Sequence, residues 1–312
     1  MEKKKLLYRL KKQAPLQMFV WVGIAYLFIF NVIPMFGILM GFKDYDISMG
    51  ITGIFTSEWV GGRYFKEFFT DYKFGNLLKN TVGISALKLI FSFPVPIAFA
   101  IMLNEIRNMK VKKAVQTCSY LPHFISWIII SGLSFQFLSN AGVINTLLGK
   151  LHLIEEPIKF LTNKDLFWGL AVSLDIWKEM GWWAIVFLAA IAGISKELYE
   201  AAEIDGAGRM QKILHITLPC IKGTIVVVLI MTMGNLFGGG LSGSNFEQSY
   251  LLGNNMNKDA SEIIQTYVFD VGLKQGRYAY ATAVGLVQSV VSLVLIMMSN
   301  FASKKIAGQG LF

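Results

Sequence analysis

The stretch ELYEAAEIDGAGRMQKILHITLP, Glu197 to Pro219, is an acidic, alanine-rich interruption between two long apolar runs. Its residue types specify two short helices with a tight turn between them. Ser195, just upstream, is a natural N-cap, and Glu197 and Glu200 follow where acidic side chains suit the positive end of a helix. Ala201 and Ala202 are strong helix formers, and Gly206 after Asp205 marks a terminator or turn. A second helical run from Arg209 to Leu218 stops near Pro219. The surface is small, with Ala201, Ala202, Gly206, Ala207 and Gly208 close together. Such a knob fits a groove in another protein; the alternative is a solvated loop.

The setting of that knob is a membrane. Of the 312 residues 54% are hydrophobic and only 16% are charged, where ordinary soluble domains have about 25% charged residues. The mean hydropathy is +0.52. Six stretches approach the roughly 20 apolar residues that cross a bilayer. They lie at about 17–41, 80–103, 114–138, 167–192, 222–241 and 279–302. The basic run MEKKKLLYRLKK before the first resembles the start of a signal peptide. However, its apolar stretch is too long and no small-residue cleavage site follows, so a retained helix is expected. Pro34, Pro94, Pro96 and Pro122 fall inside spans, as packing kinks or as hinges beside a pathway.

The net charge of +9 does not indicate nucleic acid, because no basic stripe with interleaved aromatics is present. The Lys and Arg residues instead cluster beside apolar segments. Segments 1–16, 104–113, 193–222 and the C-terminal tail hold 16 of them, against 11 in the longer segments 42–79, 139–166 and 242–278. The first set is therefore read as cytoplasmic, with both termini inside and the Glu197–Pro219 stretch facing the cytoplasm. A prokaryotic plasma or inner membrane is implied. Cys118 and Cys220 form no disulfide framework and read as small apolar fillers.

At this point the spacing becomes specific. Glu200, Ala201 and Ala202, then Gly206, then Ile216, Leu218 and Pro219 match the EAA motif of ABC-importer permease subunits without gap or mismatch. EAAEIDGAG, ITLP, FEQSYLL, TYVFDVGL and YATAVGLVQS resemble the oligosaccharide and polysaccharide branch of the carbohydrate-uptake permeases. The resemblance covers the whole chain and implies one all-α transmembrane domain over 1–312. Its implied architecture is that of a type I importer permease with six transmembrane helices and a cytoplasmic coupling helix.

The same resemblance implies the partners: a second permease subunit in a heterodimer, two cytoplasmic ATPases and an extracytoplasmic substrate-binding protein. The coupling segment, about 195–219, would dock on an ATPase through Glu200, Ala201, Ala202, Asp205, Gly206 and Ala207. Arg209 is a candidate for orienting it. ATP and Mg would be bound by the ATPases. No G-x-x-x-x-G-K-[ST] occurs here, so this chain has no P-loop to cradle nucleotide phosphates. The expectation is a transport subunit with no catalytic residues, no metal site and no nucleic-acid partner, embedded in lipid.

Ionisable residues inside spans are functional hypotheses by default. Asp175, Lys178, Glu179 and Trp182 share a helical face by their spacing, and Trp182 offers a plate for a sugar ring. Counting back from the EAA motif to the sugar contacts of the maltose importer falls on the same four positions, in location though not in residue type. By the same register His123 and Trp127 are candidates on the third span, and Leu236 and Gly239 on the fifth, with Asn235 beside them as the nearest polar group. Internal ion pairing of Lys178, or a satisfied core role for His123, are the competing readings. Lys88 snorkels, pairs or lines the cavity; the sequence leaves these open. His123, His152 and His215 form no catalytic or zinc set. A membrane enzyme lacks its motifs here, and a secondary transporter would leave the coupling segment without a role. Within ABC import, a sugar is expected first, with an amino acid, polyamine or anion as the alternative.

Overall fold

A computed structural model describes residues 13–238 and 244–307. The expected candidate Gly239 lies outside the described residues. The described chain is almost wholly helical; its one β-type pairing is an isolated bridge between Lys43 and Trp59. The principal helices are α1 Ala14–Leu27, α2 Phe74–Leu87, α3 Pro94–Glu105, α4 Met109–Tyr120, α5 Trp127–Leu138, α6 Lys164–Ala192, α7 Lys196–Ile204, α8 Lys222–Gly238, α9 Ser244–Leu252 and α10 Tyr278–Ala307. Four helical stretches are long and apolar enough to span a membrane, namely Gln17–Phe42, Phe74–Glu105, Trp127–Lys150 and Tyr278–Phe301. Two bent pairs bring the number to six: α6 with α7, bent by 70°, and Arg209–Cys220 with Lys222–Leu236, bent by 63°. Both bends flank the stretch Glu197–Pro219.

Prolines shape three of these helices in the same way. π turns at Phe28–Val32, Lys88–Ser92 and Ile213–Thr217 end two residues before Pro34, Pro94 and Pro219. A proline ring clashes with the carbonyl four residues back and offers no N–H. Widening the preceding turn absorbs that defect without ending the helix. At Lys88–Ser92 the Phe93 N–H accordingly donates to the Lys88 carbonyl at 3.1 Å.

The expected span at about 114–138 is interrupted. Helix α4 tightens into a 3₁₀ turn at Leu121–Phe124, Ile125 and Ser126 are extended, and α5 starts afresh at Trp127. Pro122 cannot continue the α-helical ladder. The Ser126 hydroxyl caps the new helix by accepting from the Ile129 N–H at 3.4 Å. The apolar stretch then runs on to Lys150, into what reads as an external loop in the sequence.

Two compact units divide the chain. The first comprises residues up to Thr70 together with Val268–Leu286. Tyr64 donates to Asp44 at 2.6 Å, and Arg277 pairs with Glu67 at 2.5 Å while lying over the Tyr280 ring. Most apolar side chains of Gln17–Phe42 are exposed, with Phe19 at 78%, as a lipid-facing or partner-facing surface requires.

The second unit, Asp71–Tyr267 with Val287 onward, is built around α6. Ala100, Ala184, Phe187, Ile191, Ile221 and Val228 form one core cluster, drawn from α3, α6, α8 and the turn before α8. A second joins Ile84, Phe167, Leu252 and Ile263. Gly181 lets α6 press against the backbone carbonyl of Ser119 on α4, leaving no room for a Cβ. The stretch that reads as a loop after α8 is partly buried. On α9, Asn245, Gln248 and Ser249 are all enclosed. Gln248 donates to the Ala171 carbonyl at 3.0 Å, and Asn245 donates to the Ser85 hydroxyl at 2.9 Å.

Candidate functional site

A cavity of about 570 Å³ opens in the second unit between α6, the π turn at Lys88–Ser92, the broken segment His123–Trp127, α8 and α9. Six of the sequence candidates line it: His123, Trp127, Asp175, Lys178, Glu179 and Asn235. Leu236, named from the same register, lines it too. Trp182 lies behind that wall. Its indole stacks on the His123 ring with centroids 4.3 Å apart and planes 1° from parallel, and Phe124 meets it edge-on. Trp127 and Trp183 supply aromatic faces to the cavity itself.

The charges are arranged in pairs. Lys88, 1% exposed, binds Asp175 at 2.9 Å. Of the three roles left open for Lys88, the structure shows it both paired and lining the cavity. The π turn ahead of Pro94 is where this lysine sits, so the local backbone defect and the ion pair belong to one feature. Lys178 donates to the carbonyls of His123 and Ile125, at 2.5 and 3.0 Å. Those carbonyls lie in the interruption after Pro122, and the ammonium replaces helical N–H donors. Lys178 also lies 3.7 Å from Glu179, over the Trp127 ring. The other Glu179 oxygen meets His123 Nδ1 at 2.9 Å.

Four residues with polar side chains reach the cavity without being candidates from the sequence: Ser92, Ser126, Thr232 and Glu247. Ser92 ends the π turn, and its buried hydroxyl has no hydrogen-bond partner among the described residues. Glu247 comes from α9. Its neighbours Asn245, Gln248 and Ser249 make the segment look like a solvated loop, so its burial depends on contacts distant in sequence. The motif FEQSYLL was the signal that could have drawn attention to it.

The second candidate region has a different character. Ser195 caps α7, accepting from the Glu197 N–H at 3.3 Å. The helix ends with Gly206 in the left-handed region at φ +78, and the Ala207 N–H reaches back to the Ala202 carbonyl at 2.8 Å. This is a glycine C-cap that a side chain would strain. The two limbs are tied by Lys212 to Glu203 at 2.6 Å and by Tyr199 to Thr217 at 2.9 Å. Lys212 holds the Glu203 carboxyl below its usual range through a hydrogen bond and its charge. Glu200, Ala201, Asp205, Gly206 and Arg209 are exposed, while Ala202 and Ala207 are half-buried. No ion pair among the described residues involves Glu200. Among the described residues Arg209 forms one ion pair, with Glu105 of α3 at 3.9 Å and largely in solvent, which is worth little. Ala202, Asp205, Gly206 and Ala207 line a shallow hollow of about 290 Å³.

A polar cavity among apolar spans, joined by α6 to an exposed helical knob, defines a multi-pass membrane permease rather than an enzyme. The chain belongs to the family of binding-protein-dependent transport system inner membrane components, whose model matches residues 92–308. It is 44% identical to Protein LplB of Bacillus subtilis (strain 168) over 97% of this chain and 92% of that one. It is also 44% identical to the polygalacturonan/rhamnogalacturonan transport system permease protein YteP of the same organism, over 100% and 94%. Among solved structures it resembles a chain of a bacterial ABC transporter involved in the import of the acidic polysaccharide alginate. That match has a TM-score of 0.87 and 38% identity, covering 97% of this chain and 99% of the other. The fold is that of an ABC importer permease.

Proposed function

We propose that this chain is the permease subunit through which an ATP-driven importer moves a sugar, specifically an oligosaccharide, across the membrane. The observation that carries this reading is the cavity. It gathers the intramembrane polar groups of four spans beside aromatic faces, which is the surface a sugar ring needs. The names of relatives that act on polygalacturonan and alginate support the same solute class.

In this reading the chain pairs with a second permease subunit in a heterodimer. An extracytoplasmic binding protein delivers the sugar, and two cytoplasmic ATPases bind ATP and Mg. Glu200, Ala201, Ala202, Asp205, Gly206 and Ala207 form the docking face on one ATPase, with Glu200 free to pair with a basic group there. Movement of the knob is transmitted along α6, which carries Asp175, Lys178 and Glu179 into the cavity. Both termini face the cytoplasm, and residues 1–312 act as one permease domain. Gly239, next to the cavity in sequence, belongs to the expected substrate path.

Import of labelled oligosaccharide by cells carrying the full complex tests the reading. Asp175→Ala and Trp182→Ala are expected to reduce import by about tenfold or more, since the first removes a charged group of the cavity lining and the second removes the ring that stacks behind His123. Unchanged import in both variants contradicts the cavity assignment.

A further inference from the structure

Membership of this family leaves the charge of the cargo open, and the cavity's own charges address it. Two ammonium groups and three carboxylates line the space. Lys88 is bound to Asp175. Lys178 directs its donors at two backbone carbonyls and stands beside Glu179. Glu179 also holds His123. Neither cation is free to receive a carboxylate from a ligand, because releasing either one would strand a buried charge or buried carbonyls. Glu247 is different. It is half-buried and lines the cavity, and no hydrogen bond or ion pair among the described residues engages its carboxylate.

The geometry points to an uncharged saccharide as the cargo of this half of the cavity, with Glu247 as the side chain that determines specificity. The inference rests on the sugar reading above. An ionised carboxylate only accepts, and its two oxygens can take two adjacent sugar hydroxyls as charge-assisted hydrogen bonds. A uronate placed there would instead meet like charge in a partly dry space, where the Lys178 ammonium, whose charge reaches Glu247, is already held by Glu179 and two backbone carbonyls. Trp127 and Trp183 provide the apolar faces, and Asn235 and the Ser92 hydroxyl provide further polar contacts. The alginate importer carries an acidic polymer; the arrangement here argues for a cargo of the opposite kind.

The test is calorimetric titration of the purified complex of both permeases and the ATPases, without binding protein so that its selectivity does not enter. Maltotriose, cellotriose and xylotriose serve as uncharged probes and trigalacturonate as the charged one. The expected result is binding of at least one uncharged trisaccharide about tenfold or more tighter than trigalacturonate. Glu247→Gln should weaken that uncharged ligand by about tenfold and narrow the gap. Glu247→Asp should keep the preference, and Glu247→Lys should turn it toward trigalacturonate. A merely structural role would shift all probes together. Equal or tighter binding of trigalacturonate by the unaltered complex overturns the inference while leaving the sugar reading intact. An unchanged preference in Glu247→Gln overturns the role of Glu247. Failure of every saccharide, charged or not, removes the sugar reading and this inference with it.

Discussion

The cavity and the knob at Glu197–Pro219 use charge in opposite ways. In the cavity, Lys88, Asp175, Lys178 and Glu179 are bound to one another or to backbone carbonyls, and the two lysines are almost fully enclosed. On the knob, Glu200, Asp205 and Arg209 stand in solvent with few or no internal partners. Buried ions must be matched inside the fold, because desolvation costs several kcal/mol per ion. Exposed ions need no such match and remain available to a second protein. The contrast separates residues that hold the permease together from residues that face outward, within one polypeptide and along one continuous helix into its bend.

The largest effect is expected from breaking a buried pair. Lys88→Met or Asp175→Asn leaves one partner buried without its counter-charge and should cost about 3–5 kcal/mol. The double change Lys88→Met with Asp175→Leu should recover most of that loss. Thermal unfolding of the solubilised complex measures both, and additive losses would show that the pair is not coupled. A smaller effect is expected at the knob. Gly206→Val forces a β-branched residue to φ +78, at a local cost of about 1–2 kcal/mol. Its unfolding temperature should move little while sugar-stimulated ATP hydrolysis falls sharply. An equal drop in both would erase the distinction between the regions.

The smallest effect concerns Glu203. Its folded-state carboxyl is held below the usual carboxylate range by Lys212. A depressed acidic group adds stability above its unfolded value, and that contribution is lost as pH falls through the folded one. The Glu203–Lys212 tie should therefore hold at neutral pH and loosen only in clearly acidic solution. Carboxyl titration followed by NMR checks this, and a midpoint at or above the ordinary glutamate value would contradict it.

Much of this contrast is legible in the sequence, for identifiable reasons. The knob is a local structure: a serine cap, alanine-rich helix, glycine turn and proline stop all act within a few residues of each other. The face of α6 is equally local, because helical spacing alone places Asp175, Lys178 and Glu179 together. The interruption at Pro122 is only partly legible, because the proline marks a kink or hinge while the apolar stretch around it reads as one span. What sequence cannot reveal is pairing across helices. The bond from Lys88 to Asp175, the carbonyls that Lys178 satisfies and the position of Glu247 all depend on how separate helices pack. The polar helix α9 illustrates the point. The amide groups of its buried Asn245 and Gln248 donate to Ser85 and Ala171, acceptors that other helices present.

The central claim, that energy enters at the exposed knob and is used at the buried cavity, is tested most directly by one paired measurement. ATP hydrolysis and oligosaccharide import are followed together in vesicles containing the complete importer, with and without Glu200→Arg. The account predicts that this exposed substitution leaves the unfolding temperature unchanged while sugar import falls by about tenfold or more. Stimulation of the ATPases by sugar-loaded binding protein should fall with it. Import and stimulated hydrolysis both at the unaltered level would contradict the claim.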